Sequence, residues 1–277
     1  MADKTILIIL DGCGYDAATE NLGYLEHLVA AGKGCKLKVQ GELPSVSRPM
    51  YETILTGLPV HQHGITNNLI VRTSNQISLF DLCRNNNLTT AASAYYWISE
   101  LYVRSPFVHT EDRLQLYADA KIQHGIYYYE DQYPDSHVFC DAEYLHRHFQ
   151  PDFLLVHTMN IDDAGHKYGS DSTEYHKAAA YENLLLSTFL PLWLMEGWQI
   201  VVTADHGMNE HRLHGGNSPL QRLVPLYIIS DKVVKDDFTC HTFSELIVAP
   251  LLCRLLGIEP SAGMKVISEM EEDIFEA

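Results

Sequence analysis

The stretch TILIILDG, residues 5–12, decides how this chain folds. Thr5 to Leu10 is short, rich in β-branched side chains and apolar without alternation. A run of that kind reads as a strand covered on both faces, as in the middle of a parallel sheet. Asp11-Gly12 falls at its carboxyl end, the edge where open α/β sheets place their ligands. On its own, an Asp-Gly pair is more often a turn.

The pattern recurs along the chain. FLLVHTMN (153–160) is a buried strand running into IDDAGHKYG, and Gln199–Thr203 is a third, ending in Ala204-Asp205-His206-Gly207. Lys36–Gln40, Thr89–Trp97 and Val224–Ser230 read as further strands. Helical spacing appears at Leu22–Ala31, Ser78–Asn86, Ala142–Phe149 and Ser172–Glu196, the last with a kink or break expected at Pro191. Ser244–Leu256 is a closing helix stopped by Gly257. Strand–helix alternation over this length implies an α/β fold with a mainly parallel central sheet and helices on both faces. The whole chain, 1–277, reads as one domain. Residues from about 98 to 135 break the rhythm with aromatics and charges, and read as a small cap-like insertion.

Composition narrows the function classes. A net charge of −17 argues against a nucleic-acid polymer as partner, because phosphate backbones need basic surface. No apolar run approaches the length of a membrane span. The opening MADKTILIILDG lacks the pattern of a secretory signal, and the six cysteines form no CxxC pair. Reduced thiols and a cytoplasmic location are the expectation.

LPSVSRPMYETILTG (43–57) supplies the candidate nucleophile. Pro49 fits the first turn of a helix that Gly57 ends, so Ser47 sits at or just before a helix N-terminus, where an anion is favoured. A serine there is a cap unless partners make it more. The partners stand at three strand ends: Asp11; Asp162 and His166, four apart and so one helical turn; Asp205 and His206, with His214 eight residues on. Carboxylate mixed with imidazole suits zinc, with manganese second. The count exceeds one tetrahedral site and fits two metal ions, which sit roughly 3.5–4 Å apart in two-metal enzymes. His61 and His63 are a weaker metal pair, since most loop histidines are structural.

Asp11-Gly12, LPSVSRP…TGLPVHQHGITNN, DDAGHKYG, TADHGM and HGG, in that order, resemble the alkaline phosphatase superfamily, and within it the type I phosphodiesterase/nucleotide pyrophosphatase branch. The resemblance extends through VPLYIIS to PLLCRLLGIEPSAGM. It implies an alkaline-phosphatase-like fold and two Zn2+ per chain, with Mn2+ the alternative. One ion would be held by Asp11, Asp205, His206 and the nucleophile Ser47; the other by Asp162, His166 and His214. It implies that Asn68 helps hold the phosphoryl oxygen. The implied reaction is hydrolysis of a small-molecule phosphodiester or pyrophosphate through a covalent phosphoserine; a phosphomonoester or a phosphonate is the alternative substrate. The branch usually has Thr as nucleophile, followed by an aromatic that stacks on a nucleobase. Here those places hold Ser47 and Arg48, and Met50 replaces an asparagine. A sulfatase would need Arg where Tyr51 stands. Arg48 is thus a candidate clamp for a second anionic group of the substrate, with an ion pair to the acidic surface as its other reading.

Overall fold

The computed structural model describes residues 3–268 and 272–275. In chain order the first half comprises β1 (Thr5–Leu10), α1 (Tyr15–Asn21), α2 (Gly23–Ala30), β2 (Cys35–Gln40), α3 (Ser47–Thr56), α4 (Val60–His63), α5 (Leu79–Asn85), β3 (Thr90–Tyr95), α6 (Tyr96–Tyr102), α7 (His109–Asp112), β4 (Leu114–Leu116) and β5 (His124–Tyr128). The second half continues with α8 (Asp135–Phe149), β6 (Phe153–Thr158), α9 (Asn160–Tyr168), α10 (Thr173–Met195), β7 (Gln199–Thr203), α11 (Pro219–Arg222), β8 (Leu223–Ile229), β9 (Asp237–Ser244) and α12 (Val248–Leu256).

Among the described residues, nine strands join one sheet in the order β4-β5-β3-β6-β1-β7-β8-β2-β9. Parallel pairings build its middle, β5-β3-β6-β1-β7, and join β2 to β9 at one edge. Antiparallel pairings bring in β4, β8 and β2. The sheet is mostly parallel, as the sequence pattern implies. β1 is the centre, with every residue from Thr5 to Leu10 buried. Each aliphatic side chain enclosed there contributes about 1.5–3 kcal/mol. β6 and β7, equally enclosed, flank it on either side. The three strands that end in acid and imidazole are therefore next-door neighbours with parallel directions, and their carboxyl ends share one sheet edge.

Several elements differ from the sequence reading. The helix expected over Leu22–Ala31 is present as α2, and α1, which the sequence reading does not include, precedes it; the backbone at Leu22 leaves the helical region between the two. The strand expected to reach Trp97 stops at Tyr95, and α6 begins at once. α8 starts seven residues before the expected Ala142. α10 runs unbroken through Pro191, whose missing N–H costs one ladder bond in an otherwise packed helix. Residues 98–135 carry α7, β4 and β5, the last two hydrogen-bonded into the sheet beyond β3. β9 is exposed or half-buried except at Phe243 and lacks the apolar run that betrays the central strands. All six cysteines are free thiols.

Candidate metal and phosphoryl site

Seven expected site residues meet at the carboxyl edge of β6, β1 and β7. Asp11 follows β1 directly. Gly12 then turns with φ +73°, and a Cβ there would press into the Asp162 backbone at 2.8 Å. Only glycine lets the β1 turn lie this close to α9, which carries Asp162 and His166. Asp205 and His206 follow β7, where the Gly12 N–H donates to Asp205 Oδ1 (3.1 Å). Ser47 is the first residue of α3, and its Oγ lies 3.2 Å from His206 Nε2.

Two groups result. In the deeper one, His206 Nε2 is 3.2 Å from Asp205 Oδ2 and 3.6 Å from Asp11 Oδ1, with all three residues fully buried. In the shallower one, His166 Nε2 is 3.4 Å from Asp162 Oδ2 and 3.1 Å from His214 Nε2, which lies 4.0 Å from Asp162 Oδ1. His206 stacks on His214 with ring centroids 3.7 Å apart, so it also comes within 4.8 Å of the Asp162 and His214 donors. Its shorter distances assign it to the deep group.

The chemistry of this donor set has one sign. Each histidine places Nδ1 on a backbone carbonyl: His206 on Gly207 (3.0 Å), His166 on Arg212 (3.1 Å), His214 on Ser45 (3.2 Å). A carbonyl only accepts, so Nδ1 carries the hydrogen and each Nε2 presents a lone pair inward. Two such lone pairs face each other in the His166–His214 contact. Asp11 Oδ1, Asp162 Oδ1 and Asp205 Oδ2 are buried without any hydrogen-bond partner. An unsatisfied buried group costs about 1–3 kcal/mol, more when charged, and here they are clustered. Burial and neighbouring carboxylates, Asp11 foremost among these, push the Asp162 and Asp205 carboxyls well above the usual range. Burial and the nearby His214 push His206 down to about 3. Acceptors packed against acceptors fit divalent cations, and the nitrogen–oxygen mix suits zinc.

The sequence profile of the type I phosphodiesterase/nucleotide pyrophosphatase family matches residues 5–226. The chain belongs to this family. In sequence it is similar to GPI ethanolamine phosphate transferase 2 of Aspergillus fumigatus, 21% identical over 92% of this chain and 35% of that protein. The same-named protein of Candida albicans is 29% identical over 43% of this chain and 15% of its own length. The chain thus spans about a third or less of these curated relatives. In structure it is similar to murine ectonucleotide pyrophosphatase/phosphodiesterase 5, an inactive form in complex with AMP, at TM-score 0.76 and 12% identity, covering 98% of this chain and all of that one. The human counterpart gives TM-score 0.75 and 13% identity, covering 99% and 100%. The fold is therefore that of an alkaline-phosphatase-like phosphodiesterase.

Around this candidate site, the sequence reading misses the supports. His157, near the end of β6, accepts the Tyr95 N–H at Nδ1 (3.4 Å), so its Nε2–H donates to Asp11 Oδ2 (3.1 Å). Tyr51 donates to the same oxygen. Burial alone would raise the Asp11 carboxyl, but the His157 hydrogen bond and the adjacent imidazoles hold it below its ordinary value. With Oδ2 taken twice, Oδ1 is turned toward His206. α9 has no cap of its own: Asp135 accepts the N–H groups of Met159 (3.1 Å) and Asn160 (3.0 Å) instead. A histidine directly after the apolar run FLLV (153–156) is the one signal that sequence offers.

Asn68 Oδ1 accepts the Arg48 N–H (3.0 Å), leaving its NH2 group as the free end beside the start of α3. Arg48 itself is enclosed, with 1% of its surface exposed. Its guanidinium bonds Glu100 (2.8 Å) and lies 4.5 Å from the Trp97 ring centre. Its ion pair is thus with a buried carboxylate rather than the acidic surface. His63 is structural: Nε2 meets Thr53 Oγ1 at 3.0 Å and Nδ1 accepts the Ile65 N–H, while His61 is exposed.

Proposed function

We propose that this protein is a cytoplasmic two-zinc phosphohydrolase that cleaves a small-molecule phosphodiester or pyrophosphate with Ser47 as nucleophile. The observation that carries the reading is the convergence of three orphan carboxylate oxygens and three inward imidazole nitrogens beside one serine hydroxyl. Asp11, Asp205, His206 and Ser47 would hold one ion, and Asp162, His166 and His214 the other, with manganese as the alternative metal. Bound there, the ions would supply the positive charge that stabilises phosphoryl oxygens and a serine alkoxide. Ser47 Oγ attacks phosphorus as the ester oxygen leaves, and water later cleaves the resulting phosphoserine.

The start of α3 offers few donors of its own. The Arg48 N–H is bonded to Asn68, and Pro49 has none. Asn68 NH2 is therefore the side-chain donor left for a non-bridging oxygen, worth about 10²–10³ in rate for groups of that role. Arg48 bonds Glu100 through Nη2 alone, leaving Nε and Nη1 without partners, so it would clamp a second anionic group of the substrate only if that group reached the enclosed guanidinium.

The test is Ser47→Ala in zinc-loaded protein assayed with bis-p-nitrophenyl phosphate. A loss of roughly 10⁴–10⁶-fold with two ions still bound is expected; full turnover would sink the mechanism. Two bound ions in wild type with no activity on any phosphorus ester would mark a metal-binding protein instead. A second reading, favoured by the similarity to ethanolamine phosphate transferases, passes the phosphoserine group to an alcohol rather than to water. Turnover that rises with added ethanol, with a new ethyl ester as product, would select it.

A further inference from the structure

α10 differs from the other helices in what it shows to solvent. Between Ala178 and Met195 its only charged residue is Glu182, which is buried at 1% exposure. The exposed positions are Ala180, Tyr181, Leu184, Thr188, Leu192 and Met195, with Tyr181 at 45%, Leu184 at 55%, Leu192 at 43% and Met195 at 86%. A helix that is apolar on every side is normally enclosed on every side. One face of this one is open.

The open face has an internal symmetry. Tyr181, Leu184, Thr188, Leu192 and Met195 lie within an arc of about 80° at 100° per residue. Counted from Thr188 they stand at −7, −4, 0, +4 and +7. A twofold axis through Thr188 would place Tyr181 of one copy on Met195 of another and Leu184 on Leu192, with Thr188 meeting itself. An isologous interface needs this self-complementarity. The charges at the ends agree: exposed Lys177 lies beyond one end of the stripe and exposed Glu196 beyond the other. Antiparallel pairing brings each Lys177 within about one turn of the other copy's Glu196, whereas parallel pairing sets like against like. A chain of net charge −17 repels its own kind over most of its surface, and this uncharged strip is where two copies meet without like charges in contact. The same net negative charge disfavours an anionic membrane as occupant.

We propose that α10 is the interface of an antiparallel homodimer centred on Thr188. With the axis at Thr188 the two helices overlap from Tyr181 to Met195, about 21 Å of helix, a contact below the usual size of specific interfaces, so the dimer is a weak one. The proposal is independent of the reaction.

Sedimentation equilibrium of the intact protein tests it. Wild type should rise from 31.4 kDa toward twice that mass with concentration, while Leu184→Glu and Leu192→Lys each stay at 31.4 kDa. Mixing those two variants should restore a dimer. The carboxylate introduced at position 184 of one copy then faces the ammonium introduced at position 192 of the other, and the second Leu184–Leu192 contact stays apolar. Thr188→Glu, which sets two carboxylates on the axis, should be monomeric too and guards against one variant misfolding. A monomeric wild type at every concentration, a variant that dimerises as wild type does, or a mixture that stays monomeric would each overturn the proposal. So would co-sedimentation of wild type with phosphatidylcholine vesicles that Leu184→Glu abolishes.

Discussion

The deep and shallow halves of the site use the same residue types but are built differently. Asp11, Asp205 and His206 follow adjacent parallel strands, and every one is fully buried. Their orientation is inherited from sheet register and locked by Gly12, His157 and Tyr51. Asp162 and His166 ride instead on the nine-residue helix α9, and His214 on a polar loop, with His166 open to solvent. The deep half is a rigid socket; the shallow half is assembled from parts that depend on outside supports. In the two-ion reading, the deep ion should bind tighter and exchange more slowly.

The largest effect that could break this contrast is ligand removal with chemical rescue. His206→Ala and His166→Ala should each lower activity by at least about 10²–10³-fold, the size of losing one electrostatic stabiliser. Added imidazole should restore His166→Ala, whose site is solvent-accessible, and leave His206→Ala inactive. Equal rescue of both would erase the distinction. Next in size, His157→Phe should weaken the deep ion by about 10–100-fold, as loss of such supporting partners does, with the shallow ion unchanged. His157→Gln, which keeps a donor toward Asp11, should recover most of that loss; chelator competition reads both. Asp135→Asn should do the reverse and milder thing, weakening the shallow ion by about fivefold, the equivalent of a lost cap at about 1 kcal/mol. Isothermal titration with zinc, resolving two binding steps, would show whether the wrong step moves.

The subtlest signature is in pH. Asp162 and Asp205 have folded-state values raised by burial and by like charge, so without cations their contribution is most favourable below the unfolded carboxyl range and is lost as pH rises through the raised values. His206 works the other way, its lowered value adding stability as pH rises through the unfolded histidine range. From the unfolded carboxyl range upward, chelated protein should therefore gain less thermal midpoint with pH than zinc-loaded protein. Parallel curves would mean the carboxylates are not the groups that the cations satisfy.

What the sequence can reveal follows from how each part is encoded. Asp11, Asp205 and His206 are legible because a strand enclosed on both faces is a continuous apolar run, and whatever polar group follows it lands on the same sheet edge. Asp162 and His166 are legible because a spacing of four is one helical turn. His157, Tyr51 and Asp135 are not, because each acts across the sheet on a residue between 24 and 146 positions away, and no local pattern records such a pairing. β4 and β9 escape for a related reason: edge positions relax the apolar requirement that makes central strands visible. Arg48 stands out in sequence, but its burial against Trp97 and Glu100 depends on where α6 begins.

Gly12 touches both halves at once. Its N–H holds Asp205, its Cα lies against Asp162, and its carbonyl accepts the Tyr175 hydroxyl (2.6 Å). In the two-ion reading, the gap between the ion positions would therefore be gauged by one backbone unit rather than by side chains that could flex. Exchanging zinc for a larger ion would stretch individual bonds while leaving that separation nearly fixed. The spin–spin coupling of a dimanganese form would then report the thickness of a single peptide turn.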